Sequence, residues 1–160
     1  MKKIFLLAAI VFAMAAHAQV TKVSIQASGL TCSLCSNAIN KALKSLDFID
    51  KVEPNLKNST FDVTFKPGSK VDFDKLKNKV EGAGFSVANF SASILFNNVR
   101  IKPDENVVVG DKVLRFVNVK EQTLNGIRPV RVVDKGFVPA REYKKNNVAT
   151  ADNKVYHVTI

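Results

Sequence analysis

Val20-Thr21-Lys22-Val23-Ser24-Ile25-Gln26-Ala27-Ser28-Gly29-Leu30-Thr31-Cys32-Ser33-Leu34-Cys35 is the stretch on which the fold turns. Val23, Ile25 and Ala27 alternate with Lys22, Ser24 and Gln26, the period-two pattern of a half-buried strand. Gly29 to Thr31 break that pattern. Leu34, Ala38, Ile39, Ala42, Leu43 and Leu46 then recur at helical spacing, which predicts an amphipathic helix of about three turns. The only two cysteines of the chain, Cys32 and Cys35, stand where the strand gives way to the helix.

Working outward, Asp47 ends the helix, and Phe48, Ile49 and Val52 predict a second strand closing at Pro54. Phe61, Val63 and Phe65 alternate with Thr60, Asp62 and Thr64 as a third strand, which stops at the Pro67-Gly68 turn. Phe73, Leu76, Val80 and Ala83 mark a second helix, with Asp72 as N-cap and Gly82 and Gly84 as stops. Phe85 and Val87 begin a fourth strand. The order βαββαβ predicts a ferredoxin-like α+β domain over residues 19–90, with both helices on one face of a four-stranded antiparallel sheet.

In this layout Cys32 lies in the loop after the first strand and Cys35 in the first turn of the helix. Exposed N–H groups and the positive end of the helix dipole favour thiolate there. Two soft thiolates with a two-residue spacer suit a d¹⁰ cation such as Cu(I), whereas a structural zinc site wants four ligands. A pair three apart closes only a tiny loop, so a disulfide would restrict the unfolded chain little. By itself Cys-x-x-Cys fits a redox motif, half a zinc site, or two ordinary cysteines.

Gly29-Leu30-Thr31-Cys32-Ser33-Leu34-Cys35, followed by Ala38, Ile39, Ala42 and Leu43, resembles the heavy-metal-associated domain family, which includes copper chaperones, modules of metal-pumping ATPases and the periplasmic mercury-binding protein. The resemblance spans about residues 20–90, including the Val63 strand and the Gly82-x-Gly84-Phe85 turn. It implies that Cys32 and Cys35 are paired metal ligands, that Gly29 and Thr31 shape the loop presenting them, and that a pump or chaperone docks around that loop to take the ion. Cu(I) is the first choice of ion, with Hg(II) and Zn(II) behind it. The family usually carries Met where this chain has Leu30, a packing position at which leucine is a volume-conserving swap. The expected function is non-enzymatic capture and transfer of a soft metal; thiol–disulfide exchange and a plain interaction module are the alternatives.

Met1 to Ala18 has a basic start, an apolar middle from Ile4 to Ala16 and a small-x-small end at Ala16-His17-Ala18, the pattern of a secretory signal. It is too short for a good membrane anchor. Export to the periplasm or beyond is therefore expected, with cleavage near Gln19. The remaining chain would hold no methionine and one histidine, His157. An oxidising compartment favours disulfides, so something must keep the two cysteines reduced or metal-bound.

The formal charge of +10 is spread out: residues 19–90 carry ten basic and seven acidic side chains, residues 91–160 twelve and seven. Diffuse charge of this kind serves solubility, and export argues against nucleic-acid binding.

Residues 91–160 are expected to form a second, β-rich domain. Ile94–Ile101, Lys112–Val119, Gly126–Val133 and Val155–Ile160 are Val/Ile/Phe-rich runs, and Asn125-Gly126 is a hairpin signal. Pro139 to Lys145 predicts one short helix. Short strands with one small helix suggest a small β-barrel or sandwich, OB-like among the options. Glu121, Asp134 and Glu142 read as surface ion-pair partners. His157, in the last strand, reads as a half-exposed residue, with a remote third metal ligand as the minor alternative.

Overall fold

The structure, a computed structural model, describes residues 19–30, 33–146 and 155–160. The expected signal segment, Met1 to Ala18, lies outside them.

β1 (Gln19–Ser28) buries Val23, Ile25 and Ala27, the alternate set read from the sequence. α1 (Ser33–Lys44) buries Ile39 and Leu43. β2 (Ile49–Asn55) and β3 (Thr60–Phe65) follow, and α2 (Phe73–Gly82) buries Phe73, Leu76 and Val80. Asp72 caps α2: its side chain accepts a hydrogen bond from the Lys75 N–H at 2.9 Å. Gly84, at φ +90°, turns the chain into β4 (Ser86–Ile101). The first four strands lie in the order β2-β3-β1-β4, all antiparallel, with β1 central. This is the expected ferredoxin-like α+β arrangement.

Beyond residue 90 the structure departs from the expected barrel. β4 is a 16-residue strand that crosses the anticipated boundary at 90/91 without a break. Its first part pairs with β1, and from Ser91 to Ile101 it pairs with β7 (Gln122–Val132). β5 (Asn106–Val109), absent from the sequence reading, and β6 (Lys112–Phe116) form a hairpin, and β8 (Val155–Thr159) runs parallel to β6. Among the described residues the result is one open sheet of eight strands, β2-β3-β1-β4-β7-β8-β6-β5. Its second half extends the first sheet instead of closing on itself. The physical reason is the length of β4, whose outer edge offers a free ladder to β7.

Asn125-Gly126 does not make a hairpin. It lies within β7, where Gly126 (φ +73°) pairs with Phe96 and Asn125 stands opposite the point at which β4 carries two residues, Asn97 and Asn98, against one on its partner. Asn98 itself takes a left-handed conformation, φ +50°. The turn-forming pair thus serves a β-bulge, the other place where positive φ is needed. Pro129 is tolerated in β7 because β8 pairs only with Arg131 and Val132. The predicted short helix is present as α3 (Ala140–Asn146).

Both halves share one hydrophobic core. Four rings close a circuit across it: Phe73 of α2 and Phe90 of β4 (centroids 5.1 Å apart), Phe137 (5.0 Å from Phe90) and Tyr156 of β8 (5.9 Å from Phe137 and 5.1 Å from Phe73). Such ring pairs contribute about 0.5–1.5 kcal/mol each beyond the area they bury. The Tyr156 hydroxyl donates to Asp74 at 2.7 Å, fastening β8 to the first turn of α2. Among the described residues no helix is long and apolar enough to cross a membrane.

Candidate metal site

The loop carrying the cysteines leaves β1 at Ser28, which is paired with Ser86 and donates from its hydroxyl to the Ser86 carbonyl at 3.2 Å. Gly29 follows at φ +82°, and a Cβ there would meet nothing within 4 Å. Glycine is therefore required by the backbone conformation and not by space. Leu30 packs against the core, the role expected of it. Thr31 and Cys32 lie outside the described residues.

Cys35 is half-buried in the first turn of α1. That turn contains no acidic side chain, and Lys41 and Lys44 occupy the last turn, so nothing in the helix offsets its positive N-terminal end. Ile39 and Leu43 anchor α1 to the sheet, which fixes Cys35 relative to the end of β1. Leu34, between the two cysteine positions, is 79% exposed. A half-buried sulfur on an anchored helix beside an open apolar side chain can meet a ligand or a partner without unfolding.

His157 is not the half-exposed residue expected. It is 4% exposed in β8, and its Nδ1 lies 2.8 Å from Asp134 Oδ1 while its backbone N–H donates to Asp134 Oδ2 at 2.8 Å. Asp134 is buried as well, so surface ion pairing does not describe it. Burial pushes its carboxyl up from the ordinary value, and the His157 hydrogen bonds pull the other way. With Val133 N–H donating to the His157 carbonyl at 2.9 Å, this pair prolongs the short β7–β8 ladder. Val130, Val132 and Val133, buried just ahead of Asp134, were the available signal for its burial. Glu121 and Glu142 do pair as expected, Glu121 with Arg100, and Glu142 with Arg131 through two bonds of 2.5 and 2.9 Å. Among the described residues no group of three or more His, Cys, Asp or Glu could hold a metal ion.

The first strand of a ferredoxin-like sheet thus runs through a glycine turn into a cysteine-bearing helix end. The heavy-metal-associated domain family matches residues 24–86. The copper chaperone CopZ of Staphylococcus epidermidis is 33% identical over 67 residues, which are 42% of this chain and 97% of the chaperone. A probable copper-exporting P-type ATPase of Archaeoglobus fulgidus is 28% identical over 71 residues, 44% of this chain; this chain spans only 9% of that ATPase's length. Among solved structures, oxidised MerP from Ralstonia metallidurans is 28% identical, aligned over 42% of this chain and 96% of MerP with a TM-score of 0.38. The chain belongs to the heavy-metal-associated domain family. The family match ends at residue 86 and does not extend over most of β4 or anything after it.

Proposed function

We propose that this protein is an exported carrier of soft metal ions, in which Cys32 and Cys35 hold Cu(I) as paired thiolates and release it to a protein partner. The observation that carries this reading is Cys35 in the first turn of an anchored helix, inside the segment matched by the family. Copper is favoured because relatives of both kinds, a chaperone and an exporting ATPase, are named for it. Thiolate softness points the same way. Hg(II) and Zn(II) are the competitors.

A two-ligand site leaves the ion open to attack. Each incoming thiolate of a partner replaces one outgoing sulfur, so the ion passes across without being released to water. The partner is a pump or chaperone carrying a similar domain, and the exposed Leu34 lies on the surface it would meet. No bond is made or broken in an organic substrate, so the role is that of a carrier and not an enzyme. Export rests on the Met1–Ala18 pattern. N-terminal sequencing of protein recovered from the cell envelope should begin at Gln19; a retained Met1 would refute export by that signal.

The reduced protein, titrated with Cu(I) against a competing chelator, should bind one ion per chain. Cys32→Ser and Cys35→Ser should each weaken binding by about a hundredfold or more, since half of the soft donor set is lost. Serine variants that bind as tightly as the parent would overturn the assignment. Free thiol content, measured on the same preparation, separates a metal carrier from a disulfide exchanger.

A further inference from the structure

We propose that a cleft between the two halves of the chain binds a small organic oxyanion with two or more negative charges, of the phosphate-ester or di- and tricarboxylate type. The cleft has a volume of about 620 Å³ and opens where the β5–β6 turn meets the β3–α2 turn and the start of β1. That is the size range of small-molecule sites.

Its charged lining is Lys66 and Lys70 from the β3–α2 turn, and Asp111 and Lys112 from the β5–β6 turn. Among the described residues three lysines and one aspartate line the cleft, an excess of basic over acidic side chains. Exposed Lys66 and Lys70 alone would be an ordinary solvated surface. Lys112 is different: it is 7% exposed, with Nζ 2.6 Å from Asp111 Oδ1 and 5.2 Å from the centre of the Phe73 ring.

A buried ammonium is costly to desolvate, and Asp111, whose side chain is 49% exposed, is a partner already shared with water. An ammonium has three donors, and the Asp111 bond takes one. The low-dielectric wall strengthens the attraction of this fixed charge for an anion in the cleft, while the two flexible lysines close over it from the rim. Phe65, Val71 and Val109 supply apolar lining, which favours an organic anion over an inorganic one.

Neither half makes this site alone. The segment matched by the metal-associated family contributes Lys66 and Lys70, and the added strands contribute Asp111 and Lys112. The site is also remote from the cysteines. β1 begins in the cleft and ends, ten residues later, at the cysteine loop, a span of roughly 30 Å. The anion is therefore a separate ligand and not a donor to the metal, and its binding stands or falls independently of metal binding.

Isotope-labelled protein is titrated with citrate and, separately, with 3-phosphoglycerate, at ionic strength held constant with chloride. At least one probe should give saturating amide shifts confined to Gly68–Lys70 and Gly110–Lys112, with those of α1 unmoved. The arm that saturates identifies carboxylate or phosphate. Lys66→Gln combined with Lys70→Gln, both exposed and safe for folding, should weaken that probe by about tenfold or more. Lys112→Met tests the buried charge, and if it fails to fold the exposed pair still decides. Shifts that never saturate, that spread equally over the lysines of α1 and α2, or that survive the double substitution would overturn the proposal.

Discussion

Phe137→Ala tests whether the two halves of this chain are one cooperative unit. Phe137 is 2% exposed, packs edge-on against Phe90 at 5.0 Å and Tyr156 at 5.9 Å, and carries Lys77 Nζ at 5.2 Å from its ring centre. Truncating a core phenylalanine costs about 3–5 kcal/mol. Two ring contacts and a cation–π contact go with it here, so the expected loss is near the upper end, about 4–5 kcal/mol. For a domain of this size each kcal/mol lowers Tm by about 3–4 °C, giving a fall of about 12–20 °C. The informative assay is native-state hydrogen exchange alongside urea unfolding. Because β4 belongs to the ladders of both β1 and β7, the amides of Val23 and Val63 should lose as much protection as those of Leu114 and Val158. If Leu114 and Val158 lose protection while Val23 and Val63 keep theirs, the halves unfold separately and the shared-core reasoning is refuted.

Gly136→Ala should cost about 1–2 kcal/mol in urea midpoint measurements, because Gly136 sits at φ +85° and a Cβ would lie 3.1 Å from Lys77 Cδ and 3.3 Å from Glu81 Oε1; an unchanged midpoint contradicts this. Burial holds the Asp134 carboxyl above its ordinary value of 3.8, so the folded chain keeps a proton that the unfolded chain has released. The stability from that group is complete below 3.8 and is lost as pH rises through the raised folded value. Asp134→Asn, which cannot ionise, should therefore gain on the parent as pH rises through that window, and a pH-independent difference between the two would count against the account. Asp72→Ala removes the α2 cap and should cost about 1 kcal/mol by thermal unfolding; a loss of a few tenths or less would show that Lys75 N–H finds water as good a partner.

The first half of the fold was legible because its elements obey local rules. Val23, Ile25 and Ala27 alternate, Ile39 and Leu43 fall on one helical face, and Asp72 caps where a capping residue should. Glycine at position 29 follows from the left-handed turn that ends the first strand. The second half was misread where local signals serve two purposes. Asn125-Gly126 suits a hairpin turn or a place beside a bulge equally, and only the partner strand, where Asn97 and Asn98 fall out of register, selects between them. Asp134 and His157 look like surface residues singly, and each is buried only because the other satisfies it.

What the sequence determined by itself is the βαββαβ order and the pairing of the only two cysteines with a strand-to-helix junction, since periodicity, capping and glycine turns act over a few residues. What the tertiary structure decided is that β4 continues past that unit and carries four further strands on its outer edge. Strand extension depends on a long-range ladder and on rings from Phe73, Phe90, Phe137 and Tyr156 that meet only after folding. The same long-range packing places Lys112 in one cleft with Lys66 and Lys70, a juxtaposition that no local pattern encodes.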